Sequence, residues 1–327
     1  MPLFLAPGKA VIAPRKRRHW SLSPPVELLI YILARTAFMI VQTFPFSAAP
    51  RLGRWLGRAL RTGSEKRTRI AAENLSRSRE TLLPHLPAEI LEKAFDNLGQ
   101  GMVELLMTPR LLQSHRLEGL VRFEKRDVIR RLLDEGRGAI LAIAHSGNYE
   151  LAGIALARSG CPLTSLARPI VNRWMDRYLR RLRTSTGQRI LPREAAAPGM
   201  VRVLRRNELL VVQMDLDAKD SGVHVDFMGR PMLALRSPAV LSLRVGSPIV
   251  VVDTYRAGGV HHCAFSDPIY PAPFRGLPDP TSALTQCVME RVESQVRRRP
   301  DQWMWMLDPW RSAEKAMRSL IPQTESS

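Results

Sequence analysis

The residues best suited to chemistry are His145 and Glu150, in the stretch Ala144-His145-Ser146-Gly147-Asn148-Tyr149-Glu150. An imidazole can take a proton from a hydroxyl, and a carboxylate can fix its tautomer and stabilise the imidazolium. On a continuous helix a five-residue offset turns the chain by about 500°, which splays the two side chains apart. The pair therefore needs a loop through Gly147 with Glu150 in the first helical turn. Such a dyad lets an acceptor hydroxyl attack a thioester directly, without metal and without a covalent enzyme intermediate. Amide groups near Gly147 to Tyr149, or a nearby arginine, would hold the oxyanion. From spacing alone, a structural histidine after a strand is the commoner alternative.

The elements that must position this pair are legible from about Leu117 onward. Ala139 to Ala144, Leu209 to Met214 and Pro248 to Val252 have the length and apolar continuity of buried strands. Lys125 to Leu133, Leu151 to Arg158, Arg173 to Arg183, Ala197 to Arg206, Pro238 to Val245 and Thr281 to Arg298 read as helices. The alternation predicts an α/β fold, a mostly parallel or mixed sheet flanked by helices, with His145 at a strand's carboxyl end, where ligands bind in open sheets. Glu73 to Leu112 reads as a helical lead-in with loop signals at Pro84, Pro87 and Pro109.

The net charge of +19 is unevenly spread: residues 1 to 69 hold thirteen lysines and arginines against Glu27 and Glu65. After Arg15-Lys16-Arg17-Arg18 comes Val26 to Phe44, apolar enough and, at about 28 Å as a helix, long enough to cross a bilayer. Glu27, Arg35 and Gln42 oppose full insertion, so spanning and interfacial placements both stay open. Arg35 also weakens a signal-peptide reading. Next, Arg51, Arg54, Arg58 and Arg61 recur at helical spacing opposite Leu52, Trp55, Leu56 and Leu60, as expected of a helix in an anionic head-group layer, or of one packed on the domain with a solvated basic face. A nucleic-acid-binding protein is the rival reading of the charge, but the basic region is interleaved with aliphatics and has neither zinc-finger spacing nor a stacking motif.

Other candidates are weaker. Asp215-Leu216-Asp217 has the form of a glycosyltransferase metal pair, while Lys219 excludes an EF-hand loop. Arg173, Arg177, Arg180 and Arg181 share a helical face suited to phosphate or to an acidic carrier surface, or simply to solvent. His261 and His262 lack zinc spacing and read as structural or exposed, and His224 reads as packed within a strand. Cys161, Cys263 and Cys287 form neither a disulfide framework nor a metal pair, which suits a reducing compartment. GxSxG, P-loop and GxGxxG motifs are absent from the sequence.

Residues 138 to 153, GAILAIAHSGNYELAG, resemble the HX4(D/E) block of the lipid A late acyltransferases, within the wider glycerolipid and lysophospholipid acyltransferase superfamily. RIAAENLSRS (69 to 78), LARPIVN (166 to 172) and QMDLDAKDSGVHVDFMGRP (213 to 231) are similar to further blocks of that family, in its order. The resemblance implies acyl transfer from acyl carrier protein or coenzyme A to a lipid or glycolipid hydroxyl, at the cytoplasmic face of the bacterial inner membrane. It implies His145 as general base and Glu150 as its partner. Asn148, Arg168, Asp215, Arg173 and Arg177 become candidate substrate contacts, with no metal, no cofactor beyond the thioester and no nucleic acid. Trp305 to Arg311 departs from the family's C-terminal Trp-x-His-Arg-Arg-Trp-like block by lacking its histidine and paired arginines, and the glycine expected after the Asp-rich turn is displaced to Gly222. A lipid A precursor is the leading acceptor and a lysophospholipid the alternative. The expected organisation is a basic tail (1 to 25), anchoring helices (26 to 68), an acyltransferase domain (69 to 312) and a loose tail (313 to 327).

Overall fold

The three apolar runs 139–144, 209–214 and 248–252 form neighbouring strands at the centre of a sheet. The computed structural model describes residues 23–81, 87, 89–113, 117–167, 170–192 and 196–320. Helices α1 (Pro24–Thr43), α2 (Ala49–Gly63), α3 (Glu65–Thr81), α4 (Ile90–Gln113) and α5 (Leu117–Leu120) precede strand β1 (Val121–Glu124). Then follow α6 (Arg126–Asp134), β2 (Ala139–Ile143), α7 (Tyr149–Arg158), β3 (Leu163–Ala167), α8 (Arg173–Thr184), β4 (Arg189–Pro192), α9 (Ala196–Arg205) and β5 (Leu209–Gln213). The chain continues through β6 (Val223–Phe227), β7 (Arg230–Ala234), α10 (Ser237–Val245), β8 (Ile249–Ala257), β9 (Val260–Phe265), α11 (Pro280–Arg298) and α12 (Arg311–Leu320).

The sheet order is β1-β9-β8-β2-β5-β3-β4, parallel except for the antiparallel β8–β9 pair, and β6–β7 form a separate antiparallel ribbon. β2 is buried along its whole length because helices cover both faces, which is why its sequence is continuously apolar rather than alternating. One face packs on α9, α10, α11 and a tryptophan cluster, the other on α5, α6 and α7.

The helical lead-in is clamped by glycines. A Cβ on Gly99 of α4 would lie 2.1 Å from the Gly53 carbonyl oxygen and 2.5 Å from the Gly57 nitrogen, both on α2. The two backbones therefore meet at a distance only hydrogen side chains permit. Pro109 does not end α4, which runs on to Gln113. It lies in the last turn, where one lost backbone bond is tolerated, and Arg110 ties that turn to the carbonyls of Gln42 and Phe44.

α1 is amphipathic in an inverted sense. Glu27, Tyr31, Arg35, Phe38 and Gln42 fall within an arc of about 80° on a helix turning about 100° per residue, and this polar and aromatic stripe faces the protein. Tyr31 stacks on Trp174, Phe38 meets Tyr178, and Gln42 Nε2 donates to the Leu106 carbonyl at 2.8 Å. Leu29, Ile32, Leu33, Met39 and Ile40 point outward, each at least half exposed. At the other terminus, residues from Ala313 to Leu320 are helical rather than loose: Ala313 is buried, and Glu314 takes Arg77 at 2.8 Å as well as Arg230. His224 is exposed on β6 rather than packed, since the inward positions of that strand belong to Val225 and Phe227. The run Arg15 to Arg18 and Pro84 lie outside the described residues.

Candidate active site

β2 and β5 pair in parallel with Ile143 opposite Gln213, and Met214 N–H extends the pairing to the Ile143 carbonyl at 2.9 Å. Two residues past each strand stand His145 and Asp215, so the register itself sets them side by side. His145 Nδ1 lies 2.7 Å from Asp215 Oδ1, and the His145 backbone N–H donates to Oδ2 at 2.7 Å. Trp303 Nε1 donates to the same Oδ2 at 2.8 Å. Asp215 is fully buried.

This overturns one expectation: the carboxylate holding His145 is Asp215, not Glu150. Glu150 is the second residue of α7, and the helix turns its side chain toward α8, where Arg183 takes both oxygens (Nε to Oε2 3.0 Å, Nη2 to Oε1 2.5 Å). The planar guanidinium spans both carboxylate oxygens, and among the described residues no hydrogen bond joins Glu150 to the imidazole. Glu150 still acts on His145 through space. Burial works against the imidazolium, but the charge and hydrogen bond of Asp215, with the charge of Glu150, outweigh it and hold the His145 pKa above its ordinary value. Burial likewise opposes the Asp215 carboxylate, yet His145 and Trp303 hold its pKa below the ordinary value.

The loop between β2 and α7 is pinned on all sides. Gly147 adopts φ +56°, and a Cβ there would fall 2.3 Å from the Thr254 carbonyl oxygen, so glycine is required twice over. Its N–H donates to the Gln302 carbonyl at 3.1 Å, which removes it from the expected set of oxyanion donors. The Asn148 side chain is also spent within the protein: Oδ1 accepts the Leu151 N–H and caps α7, while Nδ2 donates to Glu104 Oε2 at 2.8 Å. In this structure both ends of its amide are tied to the support of the loop. Glu104, itself buried, also receives Arg256 at 2.7 Å and faces His261 Nε2 at 3.4 Å. Burial raises its pKa, but His261, Arg256 and Asn148 together carry it below the ordinary value.

With Nδ1 held by Asp215, Nε2 is the remaining ring nitrogen, and it has no partner among the described residues. His145 lines a cavity of about 280 Å³ together with Tyr149, Glu150 and Arg183. Its walls combine aliphatic side chains, including Ile143, Leu166, Ile190, Val211 and Leu235, with the polar Ser165, Gln188 and Gln213. Tyr149 meets the imidazole edge-on at 5.2 Å, and burial with the Glu150 charge pushes its phenol pKa far up, so it stays neutral.

Of the other predicted residues, Arg168 lies outside the described residues. Arg173 sits 3.7 Å from Glu27, and Arg173 and Arg177 flank the Trp174 ring at 5.3 and 5.4 Å. Asp217 accepts from Lys219 N–H and Ser312 Oγ, so its carboxylate does not converge with that of Asp215. Among the described residues no three His, Cys, Asp or Glu side chains gather as a metal site. Arg183 and Trp303 are site residues that sequence reasoning missed. The Asp215 placement had a readable signal: AILAIA is followed by His145 and LLVVQM by Asp215, six residues each, and parallel neighbours of equal length bring their next residues together.

A buried aspartate thus holds one nitrogen of a histidine that lines a cavity at the sheet's carboxyl edge, an arrangement able to take up and return a proton. The model of the bacterial lipid A biosynthesis acyltransferase family matches residues 15–312, and the chain belongs to that family. It is similar to the Haemophilus influenzae lipid A biosynthesis acyltransferase, 24% identical over 306 residues that cover 89% of this chain and 88% of that protein. It is also similar to the phosphatidylinositol mannoside acyltransferase of Mycolicibacterium smegmatis, 29% identical over 182 residues, 54% of this chain and 58% of the relative. The Mycobacterium tuberculosis protein of the same name is 27% identical over 196 residues, 57% and 60% respectively. The match thus spans about three fifths of the length of the mannoside acyltransferases.

Proposed function

We propose that this acyltransferase moves a fatty acyl group from a thioester, on acyl carrier protein or coenzyme A, to a hydroxyl of a membrane glycolipid. A lipid A precursor or a mannosylated phospholipid is the acceptor suggested by the names of its relatives. The observation that carries this reading is His145 Nε2, without a partner among the described residues, in a side chain that lines a cavity and is held at Nδ1 by buried Asp215. Nε2 takes the proton from the acceptor hydroxyl as its oxygen attacks the thioester carbonyl. The tetrahedral oxyanion collapses with cleavage of the C–S bond, and the imidazolium returns the proton to the departing thiolate. Asp215 keeps the reactive tautomer and supports the imidazolium, as the aspartate does in hydrolytic triads. The Glu150–Arg183 fork braces α7 against α8 and adds negative potential at the imidazole.

The N-terminal helices support work at a membrane surface. α1 is long and apolar enough to cross a bilayer, and its three costly polar residues turn inward onto the protein. On α2, Trp55 is 71% exposed on the same face as exposed Arg51, Arg54 and Arg58 rather than opposite them, because Gly53, Gly57 and the leucines take the protein side, and that composition suits an anionic head-group layer.

The test is acyl transfer by detergent-solubilised full-length protein from acyl carrier protein and coenzyme A thioesters to a panel of lipid acceptors. Loss of transfer in both His145→Ala and Asp215→Ala supports the mechanism. Full activity in either variant sinks it.

A further inference from the structure

Three buried polar atoms at the joint between α1 and α8 have no hydrogen-bond partner among the described residues: Arg35 Nη1, Trp174 Nε1 and Tyr178 Oη. They form one cluster. The Arg35 guanidinium lies 4.2 Å from the Tyr178 ring centroid, and Trp174 stacks on Tyr31 of α1 while Arg173 and Arg177 flank it. Each of the three groups can donate a hydrogen bond, and no acceptor is supplied. The neighbouring carboxylate, Glu27, is 3.7 Å from Arg173 and balances one cation of three. Unpaired buried donors are destabilising, so this part of the joint rests on ring stacking and cation–π contact, while Asn172 Nδ2, donating to the Glu27 carbonyl at 2.7 Å, and the Arg173–Glu27 pair tie the start of α8 to α1.

The outer face of α1 is aliphatic, so a lipid lying along it would bring its head group to this seam. α8 then leads onward to Arg183, which lines the catalytic cavity; from Tyr178 to Arg183 the helix advances about 7.5 Å. An arginine on an apolar helix that stays on its protein side marks a functional position.

Resting on the acyltransferase reading above, we propose that the α1–α8 joint opens to take the phosphate of the acceptor lipid. Arg35, Trp174 Nε1 and Tyr178 Oη donate to its oxygens, Arg173 and Arg177 stand at the rim, and the acyl-accepting hydroxyl reaches toward His145.

The experiment measures binding to full-length protein in neutral detergent, with dioctanoyl phosphatidic acid as probe and dioctanoylglycerol and inorganic phosphate as comparisons. Losing one charge-assisted donor weakens binding by roughly tenfold or more, so Arg35→Gln and, to a lesser degree, Tyr178→Phe should raise the phosphatidic acid Kd while dioctanoylglycerol binding stays as in the wild type. Tyr178→Phe removes only an unpaired hydroxyl and should leave the melting temperature unchanged or higher, which separates ligand loss from misfolding. Kd values within twofold of wild type in both variants, a lowered melting temperature for Tyr178→Phe, or inorganic phosphate binding as tightly as the lipid would each overturn the proposal. His145→Ala should bind the probe normally, so that a failure of the acyl-transfer reading leaves this result intact. Where transfer is active, Arg35→Gln should raise KM for the acceptor with kcat largely kept; an unchanged KM counts against the subsite.

Discussion

Asp215 and Arg35 are both ionic side chains in apolar surroundings, and the protein treats them in opposite ways. Asp215 sits where two parallel strands end, and its oxygens take an imidazole, a backbone amide and an indole. Arg35 sits where two helices lie against each other, with one guanidinium nitrogen buried and unpaired. The strand ends are joined by a ladder of backbone bonds and cannot shift independently, so that region is preorganised before substrate arrives. The helix seam is joined by side chains only, so it can part without breaking any backbone ladder.

The comparison can be broken at its paired end first. Removing the base in His145→Ala should lower the rate of acyl transfer by about 10²–10⁴, the usual contribution of a positioned general base, measured as kcat on the best acceptor. Asp215→Asn tests the electrostatic half. General-base activity needs neutral imidazole, and Asp215 raises the His145 pKa, so the wild-type rate should climb with pH through a midpoint above that of an ordinary histidine. The variant should be slower, with this acid limb moved to lower pH. Stability runs the other way: the raised His145 pKa contributes stability that is full below the unfolded-state value and fades as pH rises through the folded one. The lowered Asp215 pKa contributes stability that is lost as pH falls through its folded value. Melting temperature against pH, wild type minus Asp215→Asn, should therefore be largest between those limits.

Smaller changes sharpen the contrast. Glu150→Gln leaves Arg183 without its ionic partner and should cost about 1–3 kcal/mol of stability by denaturant unfolding, with less effect on rate than Asp215→Asn. A larger rate effect for Glu150→Gln would restore Glu150 as the principal partner. Gly99→Ala wedges α2 from α4, the helix that carries Glu104 behind the site. It should cost about 1–3 kcal/mol through overpacking, while the pH midpoint of the rate stays in place because β2 and β5 are untouched.

Much of this molecule is legible along the chain. The strands around β2, β5 and β8, the helices α6 to α11 and the position of His145 at a strand end all follow from runs and periodicities within ten or twenty residues. α12 escaped because its polar residues Glu314 and Arg318 resemble a solvated tail until Arg77 and Arg230 are placed beside them. Glu27, Arg35 and Gln42 read along the chain as separate polar interruptions of an apolar helix. Each is costly in isolation, and only the docking of α1 on α4 and α8 shows that all three share the protected face.

What the sequence determined alone is therefore the candidate base and its place: a histidine after a buried strand, before a glycine that must turn the chain into a helix. What only the tertiary structure decided is the histidine's partner. Glu150 is five residues away and Asp215 seventy, yet contact follows strand register rather than chain distance. A helix start carries Glu150 toward Arg183, while the in-register ladder between β2 and β5 brings Asp215 to the imidazole.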